Sequence, residues 1–234
     1  MKDPIKVHDQ LAEDYIEKFP EPSTHLEEFA EMMPEEGIVL DAGCGAGLDS
    51  NYLSSRGFEV VGVDLSDKML EVAERNFPDI EFRKKDLREL DFEKNSFDGV
   101  VASFSLIYIP KDDIPGIIQE FAKILAERGL LFLGLQKGRS RETNVEDPAT
   151  EGEVFMNIMS EKEIQDILGK CGFSIEKNMS ENPKPARNLT SINSSLLPEP
   201  ANPSNLPVSP SSPGIPPACQ AATSSSLSCR ERSP

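Results

Sequence analysis

The chain has only two histidines, His8 and His25, and four cysteines, Cys44, Cys171, Cys219 and Cys229. No two cysteines form a CxxC pair and neither histidine lies beside one, so zinc-binding spacings and a disulfide framework are both unsupported. Ser-His-Asp and Cys-His constellations are missing too, which weighs against a hydrolase. No apolar run approaches the ~20 residues that cross a bilayer. The opening MKDPIKVHDQ is charged throughout and lacks the apolar centre of a signal peptide. These absences set the expectation of a cytoplasmic protein with no membrane partner and no metal.

Positive charge is scarce as well. Formal net charge is −17, and because residues 181–234 carry four basic and three acidic groups, −18 falls on the first 180 residues. So acidic a surface repels phosphate backbones and anionic lipid heads. The densest basic run, Arg83-Lys84-Lys85, is short and reads as a solvated strand end. Nucleic acid is therefore not an expected partner. Aromatic residues are absent from 181–234, which instead hold 11 of the 19 prolines. A Pro/Ser-rich stretch without apolar periodicity reads as a disordered tail. Its two Asn-x-Ser/Thr matches, at Asn188 and Asn193, mean little without a secretory signal.

What is present lies before residue 180. Residues 5–18 and 22–33 have helical spacing and form an N-terminal unit, 1–35. From Gly37 the period changes. Strands are expected at 37–41, 58–63, 80–83, 97–102, 130–135 and 173–177, alternating with helices at 48–56, 66–76, 111–127 and 160–171. Ser66 suits a helix N-cap. Continuous apolar strands imply burial on both faces. Strand–helix alternation predicts an α/β fold, a doubly wound and mostly parallel sheet of the Rossmann-like kind, over 36–180.

The central feature is Val39-Leu40-Asp41-Ala42-Gly43-Cys44-Gly45-Ala46-Gly47. Glycines allow a sharp strand-to-helix turn with a ligand lying against it, and amides at the following helix start carry partial positive charge. A dinucleotide fingerprint from Gly43 would need glycine or alanine at 48, where Leu48 stands. The pattern is Asp-x-Gly-x-Gly-x-Gly. An acid heading the turn sits poorly beside a pyrophosphate and well beside an ammonium and a sulfonium.

Here the sequence resembles the class I S-adenosylmethionine-dependent methyltransferases, over about residues 5–178. The resemblance implies S-adenosyl-L-methionine as cofactor and a turn made by Asp41, Ala42, Gly43, Cys44, Gly45 and Gly47. It implies that Asp64, closing Val60-Val61-Gly62-Val63-Asp64, takes both ribose hydroxyls, and that Leu65 and Met69 cover the adenosine, although Met69 also suits helix packing. Asp86 would accept from the adenine amino group beside the Leu87 amide. In Ala102-Ser103-Phe104-Ser105-Leu106-Ile107-Tyr108, Ser103 would approach the cofactor, and Ser105 and Tyr108 the methyl acceptor. Tyr15 would close over the methionine moiety, or serve as a core aromatic, with residues 1–35 as a substrate lid.

Departures matter. Many relatives carry histidine where Ile107 and Tyr108 stand, so no catalytic base is assigned; Tyr108, Asp112 and Asp113 are weak candidates. The segment is not Asn/Asp-Pro-Pro-Tyr/Phe, which argues against amino-group methylation on adenine or glutamine. The resembled family ends on an antiparallel strand inserted beside the fifth. No β-rich apolar run follows residue 177, so that strand is expected to be missing and 181–234 to be a disordered Pro/Ser-rich tail. The expected activity is methyl transfer to a small-molecule acceptor. Two other readings stay open: a binding module without catalysis, and an NAD-dependent oxidoreductase, which Leu48 and Asp41 disfavour.

Overall fold

Apolar residues alternate faces along the central strands, and both faces are covered. In the computed structural model, which describes residues 4–147, 152–181 and 224–231, strand β1 (Ile38–Ala42) buries Val39 on one side and Leu40 on the other. The neighbouring β4 (Phe97–Ser103) and β5 (Leu125–Gln136) do the same with Val101 and Phe132 against Val100, Leu131 and Leu133. On the first face lie α2 (Leu26–Met32) and α3 (Leu48–Ser55), through Leu26, Phe29 and Leu53. On the second lie α5 (Ile114–Ile124) and α6 (Glu161–Lys170). Helix α5 presents Ile114, Ile117, Ile118, Phe121 and Ile124, an i, i+3, i+4, i+7 stripe with each residue at most 1 % exposed.

Strands β2 (Glu59–Asp64) and β3 (Glu81–Lys84) extend the sheet beyond β1, and β8 (Phe173–Glu181) closes the other edge. Helix α4 (Asp67–Asn76) joins β2 to β3. Its N-cap, Ser66, accepts from the Met69 amide at 3.1 Å, as its sequence position predicts. Helix α6 starts on a capping box between Ser160 and Glu163. Helix α1 (Pro4–Lys18) lies across α4, tied by Ser66 Oγ donating to Asp9 at 2.5 Å and Arg75 to Glu13 at 2.8 Å.

Two expectations need correcting. The last antiparallel strand is present: β9 (Ser224–Glu231) runs antiparallel between β5 and β8, giving the sheet order β3-β2-β1-β4-β5-β9-β8. Its register pairs Leu133 with Leu227 and Leu131 with Cys229. Composition misled because the prolines stop short of it. Residues 218–233 contain none, so every ladder amide needed there is available, and β5 and β8 supply the pattern that the serines lack. The tail of 181–234 is thus not disordered at 224–231; the remainder of that expectation, including Asn188 and Asn193, lies outside the described residues. Second, the stretch 136–158, to which the sequence pattern assigns neither strand nor helix, forms a hairpin of β6 (Arg141–Asp147) and β7 (Gly152–Ile158). Asn157 on β7 donates to the carbonyls of Leu106 and Ile109 at 2.8 and 2.6 Å, which fixes the hairpin against the segment after β4.

Candidate cofactor and acceptor site

The chain leaves β1 through Gly43, Gly45 and Gly47, all at positive φ (85°, 52° and 84°). The three differ in what surrounds them. A Cβ on Gly43 would stand 2.3 Å from Ser105 Cβ, so the turn packs directly on the segment after β4. A Cβ on Gly47 would stand 2.9 Å from Phe82 Cζ, so this glycine lets α3 approach β3. A Cβ on Gly45 would meet nothing within 4 Å: above it the space is open. The turn's amides are already engaged. Gly43 and Cys44 donate to the Val63 carbonyl at 2.8 and 2.9 Å, Gly47 to Cys44 at 2.9 Å and Gly45 to Asp64 Oδ2 at 2.9 Å. A phosphate cradle needs such amides free.

Carboxylates surround the turn instead. Asp41 is 1 % exposed and accepts from Ser50 Oγ at 2.6 Å. Burial, with Asp49 and then Asp64 adding like charge, pushes its carboxyl up to about 8. Asp49, on the first turn of α3, accepts the Ser23 amide at 2.7 Å. Burial also raises its carboxyl, against hydrogen bonds from Ser23 and Ser103. Asp64 holds the Gly45 amide on one oxygen and the Ser66 amide, 2.8 Å, on the other. Each carboxylate oxygen keeps a further lone pair.

Beside this cluster opens a cavity of about 570 Å³. Of the residues expected from the sequence, Tyr15, Gly43, Gly45, Asp64, Leu65, Met69, Asp86, Leu87 and Ser103 line it, as do Ser105 and Tyr108. Asp41, Ala42, Cys44 and Gly47 do not; they stand behind the turn. The Cys44 thiol faces Gly62 and the Gly45 carbonyl, and burial beside Asp41 and Asp64 pushes it well up. Ser103 Oγ lies 2.6 Å from Ser23 Oγ. Ser105 Oγ is buried without a hydrogen-bond partner among the described residues. Asp86 is gripped by Arg88 through Nε and a terminal nitrogen, at 2.9 and 2.6 Å, which holds its carboxyl below the usual range. Burial, then the neighbouring Tyr108 and the three carboxylates, pushes the Tyr15 phenol well above its ordinary value. Phe104 takes a left-handed conformation, φ 54°, between the two cavity-lining serines, a strain of about 1 kcal/mol or more for a non-glycine residue.

Sequence reasoning missed several residues. Asp49 was readable only as an acid in a helix's first turn. His8 lies on the same α1 face as Ile5, Leu11 and Tyr15, and these four line the cavity together with Phe19, just past the helix end; the helical spacing was visible but the face's partner was not. Val145, Val154 and Met156 come from the hairpin. Among the described residues no group of three His, Cys, Asp or Glu is disposed to hold a metal, and no helix is long and apolar enough to cross a membrane.

A glycine turn thus leaves a central parallel strand of a Rossmann-like sheet, with an acid ending the next strand beside it. Residues 39–129 match the methyltransferase domain family. The chain is 32 % identical over 102 residues to a ubiquinone biosynthesis O-methyltransferase of Nitrosomonas europaea, covering 42 % of this chain and 43 % of that protein. It is 38 % identical over 90 residues to a magnesium-protoporphyrin O-methyltransferase of Rhodobacter capsulatus, covering 36 % and 39 %. The matched stretch is thus less than half of either relative. A solved S-adenosylmethionine-dependent methyltransferase from Methanosarcina mazei superposes with TM-score 0.69 at 18 % identity, over 91 % of this chain and 99 % of that one. Residues 39–129 are thus similar to methyltransferase domains, and the sheet has the fold of solved S-adenosylmethionine-dependent methyltransferases.

Proposed function

We propose that this chain transfers a methyl group from S-adenosylmethionine to a small-molecule acceptor. The observation that carries the reading is the gathering of Asp41, Asp49 and Asp64 around a turn whose own amides are engaged inward. Three carboxyl groups this close in a water-poor setting resist ionising together, which is what raises Asp41, and a ligand bearing an ammonium and a sulfonium favours the ionised forms. A diphosphate adds to it. Open space over Gly45 and the 570 Å³ cavity beside it accommodate a nucleoside.

In this reading Asp64 accepts the ribose hydroxyls on lone pairs left by its two amide bonds. Leu65, Met69 and Leu87 cover the adenosine, and Asp86, held by Arg88, receives the adenine amino group. Tyr15, Ser103 and Asp49 bound the methionine end. Ala42, Cys44 and Gly47 shape the turn from behind, and Asp41 acts through its charge. When bound, the cofactor supplies a methyl group already activated on sulfur, so the protein's part is placement and exclusion of water. Helix α1 roofs the cavity, and the acceptor lies toward Ser105 and Tyr108. The relatives' names, which point to ubiquinone biosynthesis and magnesium-protoporphyrin, support a small organic acceptor.

The test is transfer of radiolabel from methyl-tritiated S-adenosylmethionine to a metabolite panel. The reading expects label in a small product and S-adenosylhomocysteine in equal amount. Cofactor binding without transfer to any acceptor would instead mark a binding module.

A further inference from the structure

Resting on that transferase reading, we infer that His8 is the catalytic base of the site and takes the proton from a hydroxyl on an apolar acceptor seated between α1 and the turn at Leu106–Tyr108. His8 lines the cavity, and its ring meets the Tyr108 ring edge-on, with centroids 4.7 Å apart and planes at 86°. It lies seven residues before Tyr15 on one face of α1, about 10 Å along the helix axis. Tyr15 stands near Asp49, Asp64 and Asp41, and His8 stands beside Tyr108.

Much of the cavity wall is apolar, with Ile5, Ile107, Ile109, Val145, Val154 and Met156 contributing to it. An aliphatic amine would enter as an ammonium and lose its hydration there without a partner, and a carboxylate would fare no better. A neutral hydroxyl enters cheaply but is a poor nucleophile until its proton is removed. The other cavity groups are poor acceptors for that proton. In that reading Asp64 is taken up by the two amides and the ribose hydroxyls, Asp86 is paired with Arg88, and the Tyr15 phenol keeps its proton firmly. Lys85 and Arg88 are cations. Histidine is the side chain whose ordinary titration falls near neutrality. In the step, the acceptor O–H bond breaks and the proton bonds to a His8 ring nitrogen. The oxygen's electron pair forms the new O–CH₃ bond while the C–S pair returns to sulfur, leaving S-adenosylhomocysteine.

The experiment uses the full chain, ¹⁵N-labelled, saturated with S-adenosylhomocysteine and titrated with 2-naphthol. Only two histidines exist, so the His8 imidazole signals are assigned by their loss in His8→Gln, with His25 as internal control. The expected result is a saturable shift of His8 and not of His25. With S-adenosylmethionine and 2-naphthol, His8→Gln should lower kcat about 100-fold with KM changed less than threefold. Cofactor affinity and thermal midpoint should stay unchanged, and imidazole should partly rescue His8→Ala. Cofactor-product binding with no naphthol binding, naphthol binding that leaves His8 unmoved, or a His8→Gln variant of full kcat would each overturn the inference. Failure to bind S-adenosylhomocysteine would overturn the transferase reading and this one with it.

Discussion

The Ser50 hydroxyl donates to the buried Asp41 carboxylate across 2.6 Å, and the Ser50 amide supports the same carboxylate. The residue between it and the turn's helix start, Asp49, brings a second acid to the same place. Asp41 is therefore held above its ordinary value of 3.8, at about 8, by burial and its acidic neighbours. An acid whose folded-state pKa exceeds its unfolded one keeps its proton more tightly when folded. Its contribution favours folding at low pH and is lost as pH rises from about 4 to about 8. The ligand-free protein should melt at progressively lower temperature between pH 5 and 8. Saturating S-adenosylmethionine, by supporting the ionised form, should flatten that slope. Calorimetric scans with and without ligand test both; a slope unchanged by ligand would contradict the account.

Asp49→Asn removes one of the three charges while keeping a group of the same shape. The ligand-free protein should become more stable at pH 8, because Asp41 then ionises more easily. Affinity for S-adenosylmethionine should fall about tenfold, roughly 1.4 kcal/mol. Thermal melts and isothermal titration of the same variant read the two effects, which should have opposite signs.

The two cavity-facing glycines should respond differently to a methyl group. Gly45→Ala keeps the fold at a cost of about 1–2 kcal/mol for left-handed backbone, since its Cβ meets no protein atom, yet it projects into the cofactor's space. Gly43→Ala drives a Cβ to 2.3 Å from Ser105 Cβ and should lower the melting midpoint much further. Side-by-side melts and titrations check this: Gly45→Ala should lose binding with modest destabilisation, Gly43→Ala should lose both.

Strand β9 covers the inner edge of β5 and supplies a partner to β8. Leu227→Pro removes an amide from the middle of this doubly paired strand. It should lower thermal stability and promote aggregation through the exposed β5 edge, read by melting and light scattering. A variant as stable and monodisperse as the parent would count against the observed sheet order.

The strand–helix alternation from 37 to 177 was legible because buried parallel strands are continuously apolar and α5 carries its stripe at unmistakable spacing. Ser66 announced its cap. Strand β9 and the hairpin were not legible, for one physical reason. Their residues, such as Ser224-Ser225-Ser226 and Arg141-Glu142, have little β-propensity of their own and pair because a neighbour supplies the register. At the site, Asp64 and the glycines could be read from their position after a strand. Asp49 and His8 could not, because what makes them functional candidates is the company they keep across elements: Ser23 and Asp41 for one, Tyr108 for the other.

The central claim is that a carboxylate-ringed turn receives a cationic nucleoside, and isothermal titration of the whole chain with S-adenosylmethionine and with NAD tests it most directly. Micromolar binding of S-adenosylmethionine, with no heat from NAD, is the predicted result. Micromolar binding of NAD with none of S-adenosylmethionine would contradict it.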